Sequence, residues 1–343
     1  MNRRRWLRYA AGWMAAAILA GGAAGYAETA PTPSPVRPSS EVFLPTPEPP
    51  PPASTNRPTP APTEPPDSPV IDHINRPNYY ADFSFPENAK ILDIWIPNIK
   101  DADAAILQFD GQVYMIDCGD EKAAVRTQLM LSQLGIEKID VLFNSHPHHD
   151  HIDGLQKTYE MAKINMLKIC FSPTSTESGQ RMLKTAARLK IPVSMYQDGD
   201  AFTMGKGEVT LQFLVGSGIM LTMNNKSATT IVRYGERSIL FTADIEKDGQ
   251  QDLMERIDPS ILKCDILKYP HHGKHALYEP FYNAVDAKLY VVTSEQGRRQ
   301  DSGQTFLSYR QLPTVYTSVY GTFVHLATDG KYWLCERVPL TVQ

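Results

Sequence analysis

Residues 145–154 read Ser-His-Pro-His-His-Asp-His-Ile-Asp-Gly and hold four of the nine histidines in this 343-residue chain. They follow an apolar run at residues 139–143 that is typical of a buried strand. The segment contains the pattern His-x-His-x-Asp-His, formed by His146, His148, Asp150 and His151. Imidazole and carboxylate groups are ligands that zinc and other first-row metals prefer. Because these four side chains cannot all face one ion from a regular helix or strand, the pattern predicts a loop serving two neighbouring metal positions, typical of a metal-dependent hydrolase.

The first 27 residues have the composition of an export signal. Four arginines at positions 3, 4, 5 and 8 precede an Ala- and Gly-rich apolar segment, and the first acidic residue is Glu28. An ordinary secretory signal is favoured over a twin-arginine signal, and an uncleaved membrane anchor is the remaining alternative. The sequence therefore predicts an exported protein, extracellular or attached to the cell surface.

Residues 28–74 are rich in Pro, Ser, Thr and Glu and include four consecutive prolines at 49–52. Such a segment cannot bury a core and favours an extended spacer. It predicts a linker through which the N-terminus could attach the protein to a membrane or cell wall. Residues 75–343 are then the folded domain, which is long enough for a large core.

The net charge and the cysteine content indicate which partners and which thiol chemistry to expect. The formal net charge is −4 at pH 7 and becomes more negative when the signal arginines are removed, which argues against a broad nucleic-acid-binding surface but not against a local basic patch. The four cysteines form no Cys-x-x-Cys pair and lie in or beside apolar runs. We expect buried free thiols, although an exported protein could form a disulfide.

Strand-like apolar runs alternate with amphipathic helical segments over the whole folded region. They form two β-rich halves with helices between the strands. This pattern predicts an α/β fold in which two sheets pack on each other and helices cover their outer faces, an αββα sandwich.

Three further polar segments each follow a predicted strand, as the histidine loop does. They are residues 116–120 with Asp117, residues 241–246 with Asp244, and residues 268–273 with His271 and His272. With these four segments in order, the chain resembles the metallo-β-lactamase superfamily. Within that superfamily it resembles the hydrolase domain of the competence DNA-uptake channel (ComEC-type) and its secreted free-standing relatives. The likeness runs from about residue 90 to residue 331 and includes residues 224–227 and the closing 320–330 hairpin.

The resemblance implies a set of metal ligands. They are His146 and His148 for one ion, Asp150, His151 and one of the His271–His272 pair for a second, and Asp244 as a bridge. His271 is preferred because it leaves the strand end first, so that His272 would lie behind the ligands or face the substrate. Asp117 would brace the histidine loop through hydrogen bonds. The expected cofactor is a divalent metal, zinc with manganese as the alternative.

The chain also departs from its relatives. It has no histidine from residue 152 to residue 270, so the first metal position lacks its usual third histidine. Water, another ligand type, or occupancy of the second position alone would each account for this, and one or two ions are expected. Lys274 stands where relatives carry serine, and residues 302–304 replace their Gly-His-Pro. Because of these changes, the resemblance does not identify the substrate.

The predicted mechanism follows from the predicted site. A bound divalent metal lowers the pKa of its water to about 7, which supplies hydroxide for attack at neutral pH. With one ion, Asp150 would be the general base. Lys274 could neutralise a phosphate, as could Arg298 and Arg299, although a solvated loop is favoured for the two arginines.

We therefore expect an exported hydrolase that uses a metal-bound hydroxide on phosphodiesters. The substrate would be a small molecule, single-stranded DNA or a phosphorylated envelope component. The alternatives are a lactone or β-lactam hydrolase, and a catalytically impaired surface-binding domain of the same fold. No protein partner is inferred.

Overall fold

The computed structural model describes residues 68–78, 81–218 and 221–341. The predicted export signal and the linker up to residue 67 lie outside the described residues. The sequence places the start of the folded domain at residue 75, and the strand Val70–Asp72 before that position pairs with Trp333–Cys335. Within the described part of the chain, no helix is long and apolar enough to cross a membrane.

The described residues form eighteen strands, seven α-helices and three short 3-10 helices. In chain order the strands are β1 (Val70–Asp72), β2 (Leu92–Ile96), β3 (Ala104–Phe109), β4 (Gln112–Cys118), β5 (Lys138–Ile139), β6 (Val141–Asn144), β7 (Lys163–Ile164), β8 (Leu167–Ile169), β9 (Val193–Met195), β10 (Ala201–Met204), β11 (Val209–Val215), β12 (Ala228–Tyr234), β13 (Arg237–Phe241), β14 (Ile266–Lys268), β15 (Leu289–Val292), β16 (Thr314–Tyr316), β17 (Thr322–Thr328) and β18 (Trp333–Pro339). The helices are α1 (Ala124–Gln133), α2 (His149–Ile152), α3 (Leu155–Met161), α4 (Glu177–Leu189), α5 (Lys247–Arg256), α6 (Glu279–Val285) and α7 (Ser302–Tyr309).

The strands form two large mixed sheets and one small one. The first sheet has nine strands in the order β1-β18-β17-β2-β3-β4-β6-β8-β9, and the second has seven in the order β10 to β16. Strands β4, β6, β8 and β9 run parallel in the first sheet, and β13 to β16 run parallel in the second. The remaining two strands, β5 and β7, pair with each other.

Apolar side chains from both sheets meet in one central core. Leu107 and Phe143 of the first sheet and Phe213 and Val291 of the second belong to a single buried cluster. Strand β2 alternates buried and half-buried residues, as expected for a strand with one face turned to this core. Strands β14 and β15 are buried throughout because both of their faces are covered.

Two outer apolar layers attach the helices. Met130, Leu155 and Met182 of α1, α3 and α4 pack on the first sheet, while Leu253 and Phe281 of α5 and α6 pack on the second. Burying each such side chain contributes about 1.5–3 kcal/mol to folding. The predicted αββα sandwich is therefore confirmed. The four cysteines are free thiols, three of them buried and Cys170 half-buried.

Candidate metal centre

The predicted site segments meet at one edge of the sandwich because each follows the end of a strand. The histidine loop leaves β6 in the first sheet, while Asp244 and the His271–His272 pair follow the parallel strands β13 and β14 of the second. Loops at the carboxyl ends of such strands are where α/β folds present their reactive side chains. Two sheets that face each other thus bring residues from distant parts of the chain to one place.

The first group of metal-binding side chains is His146, His148 and Asp244. His146 Nε2 lies 3.1 Å from His148 Nδ1 and 3.9 Å from Asp244 Oδ2. His146 and Asp244 are buried, and His148 is half-buried. Their ligand atoms all lie within 4.8 Å of one another, so one ion could contact all three.

The second group is Asp150, His151, Asp244 and His272. The Oδ1 atom of Asp244 lies 3.3 Å from His151 Nε2 and 3.6 Å from His272 Nε2, and His272 Nε2 lies 3.4 Å from Asp150 Oδ2. These separations match the edge of about 3.4 Å expected when nitrogen and oxygen ligands surround zinc tetrahedrally. Asp244 directs Oδ2 to the first group and Oδ1 to the second, as a bridging carboxylate does.

The second group has the hydrogen-bonding pattern of a cation site. Asp150 Oδ1, His151 Nε2, Asp244 Oδ1 and His272 Nε2 are all buried and have no hydrogen-bond partner among the described residues. Each such atom costs about 1–3 kcal/mol when it is left unsatisfied. A divalent cation would satisfy the two imidazole nitrogens and Asp244 Oδ1, so these residues fit the metal that the sequence predicts.

His271 is not where the sequence interpretation placed it, and this prediction is corrected. His272, not His271, lies with Asp150, His151 and Asp244. Both histidines have left-handed backbones, with φ of 49° and 53°, so the chain turns sharply after Pro270 and directs the second side chain inward. The prediction of His271 assumed that the chain stays extended after β14. His272 therefore replaces His271 in the second group.

Asp117 contacts the histidine loop through Ser145 and His151. Its Oδ2 lies 2.8 Å from His151 Nδ1 and accepts a 2.7 Å hydrogen bond from Ser145 Oγ, while its Oδ1 accepts one from the Ser145 amide at 2.8 Å. The backbone of Asp117 itself has φ of 55°, which turns its carboxylate under the loop. With Nδ1 engaged in this way, the ring of His151 presents Nε2 to Asp244.

Asp103, Lys268 and Thr293 form a bracing network that the sequence interpretation missed. His272 Nδ1 lies 3.2 Å from Asp103 Oδ1 and 2.9 Å from Thr293 Oγ1, and Lys268 Nζ makes a buried ion pair with Asp103. Thr293 Oγ1 also donates to Asp103 Oδ1 at 2.7 Å. The available signals were Lys268 at the end of an apolar strand and Asp103 just before another, but nothing in the sequence connected these residues with His272.

Electrostatics keep the carboxylates of the centre ionised. Burial alone would raise the pKa of Asp244, but the neighbouring His151 and His272 hold that pKa well below its usual value. Burial likewise opposes ionisation of Asp103, but Lys268, His272 and His151 together outweigh burial, so the pKa of Asp103 is lowered. Burial lowers the pKa of His146, which keeps this imidazole neutral and able to bind a metal.

The remaining predicted residues lie around the centre. Lys274 follows His272 in the same turn, is half-buried, and has no ion-pair partner within the described ranges. Arg298, by contrast, bonds to Asp101 and lies 3.3 Å from Asp301 Oδ2, so its charge is already paired. Of Lys274 and Arg298, Lys274 is therefore the one whose charge is left for an incoming anion.

Comparison with known proteins decides the family. The family model described as "Metallo-beta-lactamase superfamily" matches residues 101–285, more than half of the chain. This chain belongs to the metallo-β-lactamase superfamily. Members of this superfamily are metal-dependent hydrolases, and the fold binds divalent metals. The resemblance stated from the four sequence segments is thus confirmed.

Individual relatives of this superfamily member share shorter stretches. "ComE operon protein 3" of Bacillus subtilis is 28% identical over 173 residues, which are 49% of this chain and 22% of that protein. "Zinc phosphodiesterase ELAC protein 1" of Homo sapiens is 39% identical over 56 residues, which are 16% of this chain and 15% of that protein. This chain therefore spans less than a quarter of the length of these relatives. The solved metallo-beta-lactamase fold protein YhfI from Bacillus subtilis superposes with a TM-score of 0.43 at 14% identity, over 66% of this chain and 95% of that one.

Proposed function

We propose that this protein is an exported hydrolase that cleaves phosphodiester bonds with the help of two divalent metal ions, zinc being the first candidate. One observation carries the proposal: two groups of metal-binding side chains share Asp244, and four buried atoms of the second group lack any other partner within the described residues. Paired metal positions of this kind suit in-line displacement at phosphorus. The relative named as a zinc phosphodiesterase supports the same substrate class and metal.

The metal, when bound, supplies Lewis acidity and lowers the pKa of a water molecule to about 7. The chain's own residues then hold the site and move the proton. Asp117 and Asp103 fix the rings of His151 and His272, whose Nε2 atoms face Asp244 at 3.3 and 3.6 Å. Asp150 keeps one oxygen unbonded within the described part of the chain, and that oxygen accepts the proton of the attacking water.

Lys274 gives the site its preference for anionic substrates. Its ammonium group has no carboxylate partner in the described ranges. Burial lowers the pKa of the neighbouring His271, and the charge of Lys274 lowers that pKa further. We propose that Lys274 pairs with a non-bridging phosphate oxygen and offsets the charge that develops during cleavage. A small phosphodiester and single-stranded DNA both present this group.

Export is proposed from the composition of residues 1–27 and rests on the sequence alone. The Pro-rich residues that follow would hold the hydrolase domain away from the membrane or cell wall. Comparing the N-terminus and the cellular fraction of the native protein tests this proposal: a mature N-terminus near residue 28 in the extracellular fraction supports it, and an intact Met1 in the cytoplasm contradicts it.

The activity is tested by metal loading followed by three assays. The full chain is loaded with zinc or manganese, metal per chain is measured, and turnover of bis-(p-nitrophenyl) phosphate, single-stranded DNA and nitrocefin is compared. We expect bound metal and phosphodiester turnover that falls at least a hundredfold in His148→Ala and Asp150→Ala.

The matched control is His149→Ala, because His149 lies in the same loop but is 70% exposed and belongs to neither group. This variant should keep both metal and turnover. Absence of bound metal would refute every hydrolytic version of the proposal. Metal binding with turnover of nitrocefin alone would favour carbonyl hydrolysis, and metal binding without any turnover would favour a surface-binding role.

A further inference from the structure

A third group of metal-binding side chains lies beside the centre and outside both groups described above. It consists of Glu246, His271 and His275. His271 Nδ1 lies 3.0 Å from Glu246 Oε1, and His275 Nε2 lies 3.5 Å from the same oxygen. The two imidazole rings are 5.2 Å apart between centroids. Two imidazoles therefore converge on one carboxylate oxygen.

The distances between the ligand atoms of this group are similar to those in the second group. Ligands around one ion lie about 3.4 Å apart because each points at the ion and not at its neighbour. His271 Nδ1 shows this directly: it is buried and close to Glu246 Oε1, yet it makes no hydrogen bond with any described residue. His151 Nε2 and His272 Nε2 show the same combination of a near carboxylate and no hydrogen bond.

The backbone around this group holds the ligands in place. Glu246 accepts a hydrogen bond from Asn224 Nδ2 at 3.2 Å, and its amide donates to Asn225 Oδ1 at 2.7 Å. His271 has φ of 49°, a left-handed conformation that costs about 1–3 kcal/mol for a residue other than glycine. This turn carries the ring of His271 away from the second group and toward Glu246.

An ion at this position would be reachable from solvent. Glu246 and His275 line a surface cavity of 330 Å³ together with Lys247, Asp248 and Ser302. His275 is 54% exposed, so its ring can adjust to a ligand. Three protein ligands leave at least one coordination position for water or an oxyanion from the cavity.

We propose that Glu246, His271 and His275 form a third divalent-cation site at the entrance of the metal centre. Two imidazoles and one carboxylate favour zinc or another first-row transition metal over magnesium or calcium, which prefer oxygen ligands. The other nitrogen of His271 lies 3.6 Å from Asp244 Oδ2, so this ion would sit one side chain away from the bridging carboxylate. The inference is independent of which substrate the protein cleaves.

The test counts zinc ions per full chain and does not rely on activity. Zinc binding is measured by calorimetric titration and by elemental analysis, and cadmium-113 NMR of the cadmium-loaded protein resolves the individual sites. We expect His275→Ala and Glu246→Gln each to bind one ion fewer than the wild type, and His275→Ala to lose one cadmium resonance while the others stay in place.

His149→Ala is the matched control, as an exposed histidine outside all metal-binding groups, and should keep the wild-type number of ions. Because Glu246 is partly buried, circular dichroism verifies that Glu246→Gln is folded. If Glu246→Gln does not fold, His275→Ala alone is sufficient for the test. An unchanged ion count in His275→Ala overturns the proposal.

A second result would also overturn it. If His271→Ala and His148→Ala remove the same cadmium resonance while His275→Ala removes none, His271 completes the first group and no third site exists. Failure of the proposed function is separate, since it would appear as the absence of phosphodiester turnover whatever the number of ions.

Discussion

Nδ1 of His272 lies 3.2 Å from Oδ1 of Asp103, 169 positions earlier in the chain, and this contact turns the opposite ring nitrogen toward Asp150 and Asp244. Thr293 supports the same ring nitrogen at 2.9 Å. His272 and the two residues that support it thus come from three distant segments. The supporting residues can therefore be substituted without changing the metal ligand itself.

Thr293→Val should weaken metal binding without unfolding the protein. The variant keeps the shape of the side chain but removes the oxygen next to His272 Nδ1, and loss of such a support typically costs about tenfold to a hundredfold in metal affinity. The zinc dissociation constant, measured by competition with a chelator, checks this. Thr317→Val is the control, because Thr317 is equally buried but its Oγ1 has no hydrogen-bond partner within the described residues. Equal affinities of the two variants would contradict the role of Thr293.

Lys268→Met should destabilise the metal-free protein by about 3–5 kcal/mol, because it leaves the Asp103 carboxylate buried without its cation. The double variant Lys268→Met with Asp103→Leu should recover much of that loss, since it removes both charges. Urea unfolding in the presence of a chelator measures both. The exposed pair Lys100–Glu295 provides the control, and Lys100→Met should change stability little. A double variant as unstable as the sum of its single variants would contradict this coupling.

Asp117→Asn should lower zinc affinity by about tenfold to a hundredfold, because it weakens the contact that orients His151 and the two bonds that fix Ser145. Competition with a chelator again provides the measurement. Asp153→Asn is the matched control: Asp153 is close to the same loop but pairs with Arg181 at 2.6 Å. Zinc affinity that falls equally in both variants would indicate a general loss of loop structure.

His325 should make stability depend on pH. Its ring lies 2.8 Å from both Asp93 Oδ1 and Glu336 Oε1 and stacks on Trp95. Burial lowers the pKa of His325, but the two carboxylates outweigh burial, so the pKa in the folded protein is raised above 6.5. A raised pKa means that the stabilisation is complete below pH 6.5 and is lost as the pH rises through the folded value.

The comparison that tests this is between the wild type and His325→Gln, both with a chelator. We expect the wild type to be more stable by about 1 kcal/mol near pH 6, because the partly exposed carboxylates moderate the gain, and the difference should shrink toward pH 9. Free energies of unfolding from urea titrations at each pH measure it. A difference that stays constant or grows with pH would contradict the raised pKa.

Much of the architecture could be predicted from local patterns. Strand β6 overlaps the apolar run at residues 139–143, and β14 ends where the polar segment of residues 268–273 begins, because continuous apolar runs between polar residues leave little choice of register. The alternation of strands and helices predicted the sandwich for the same reason. Strands β1 and β10 were not predicted, since their residues are short or mixed in character and pair only with strands formed elsewhere in the chain.

The histidine loop and Asp244 could be found in the sequence because their residue types and their position after strands are local properties. The choice between His271 and His272 could not, since it depends on two left-handed backbone conformations that only the packed turn stabilises. The residues that support His272 could not be predicted from local sequence either, because Asp103 is 165 residues from Lys268 and 190 residues from Thr293 in the chain. Short segments of the sequence thus determine which residue types can bind a metal. The orientation of those side chains is determined only when the two sheets pack face to face, because the residues that hydrogen-bond to the ligands come from distant parts of the chain.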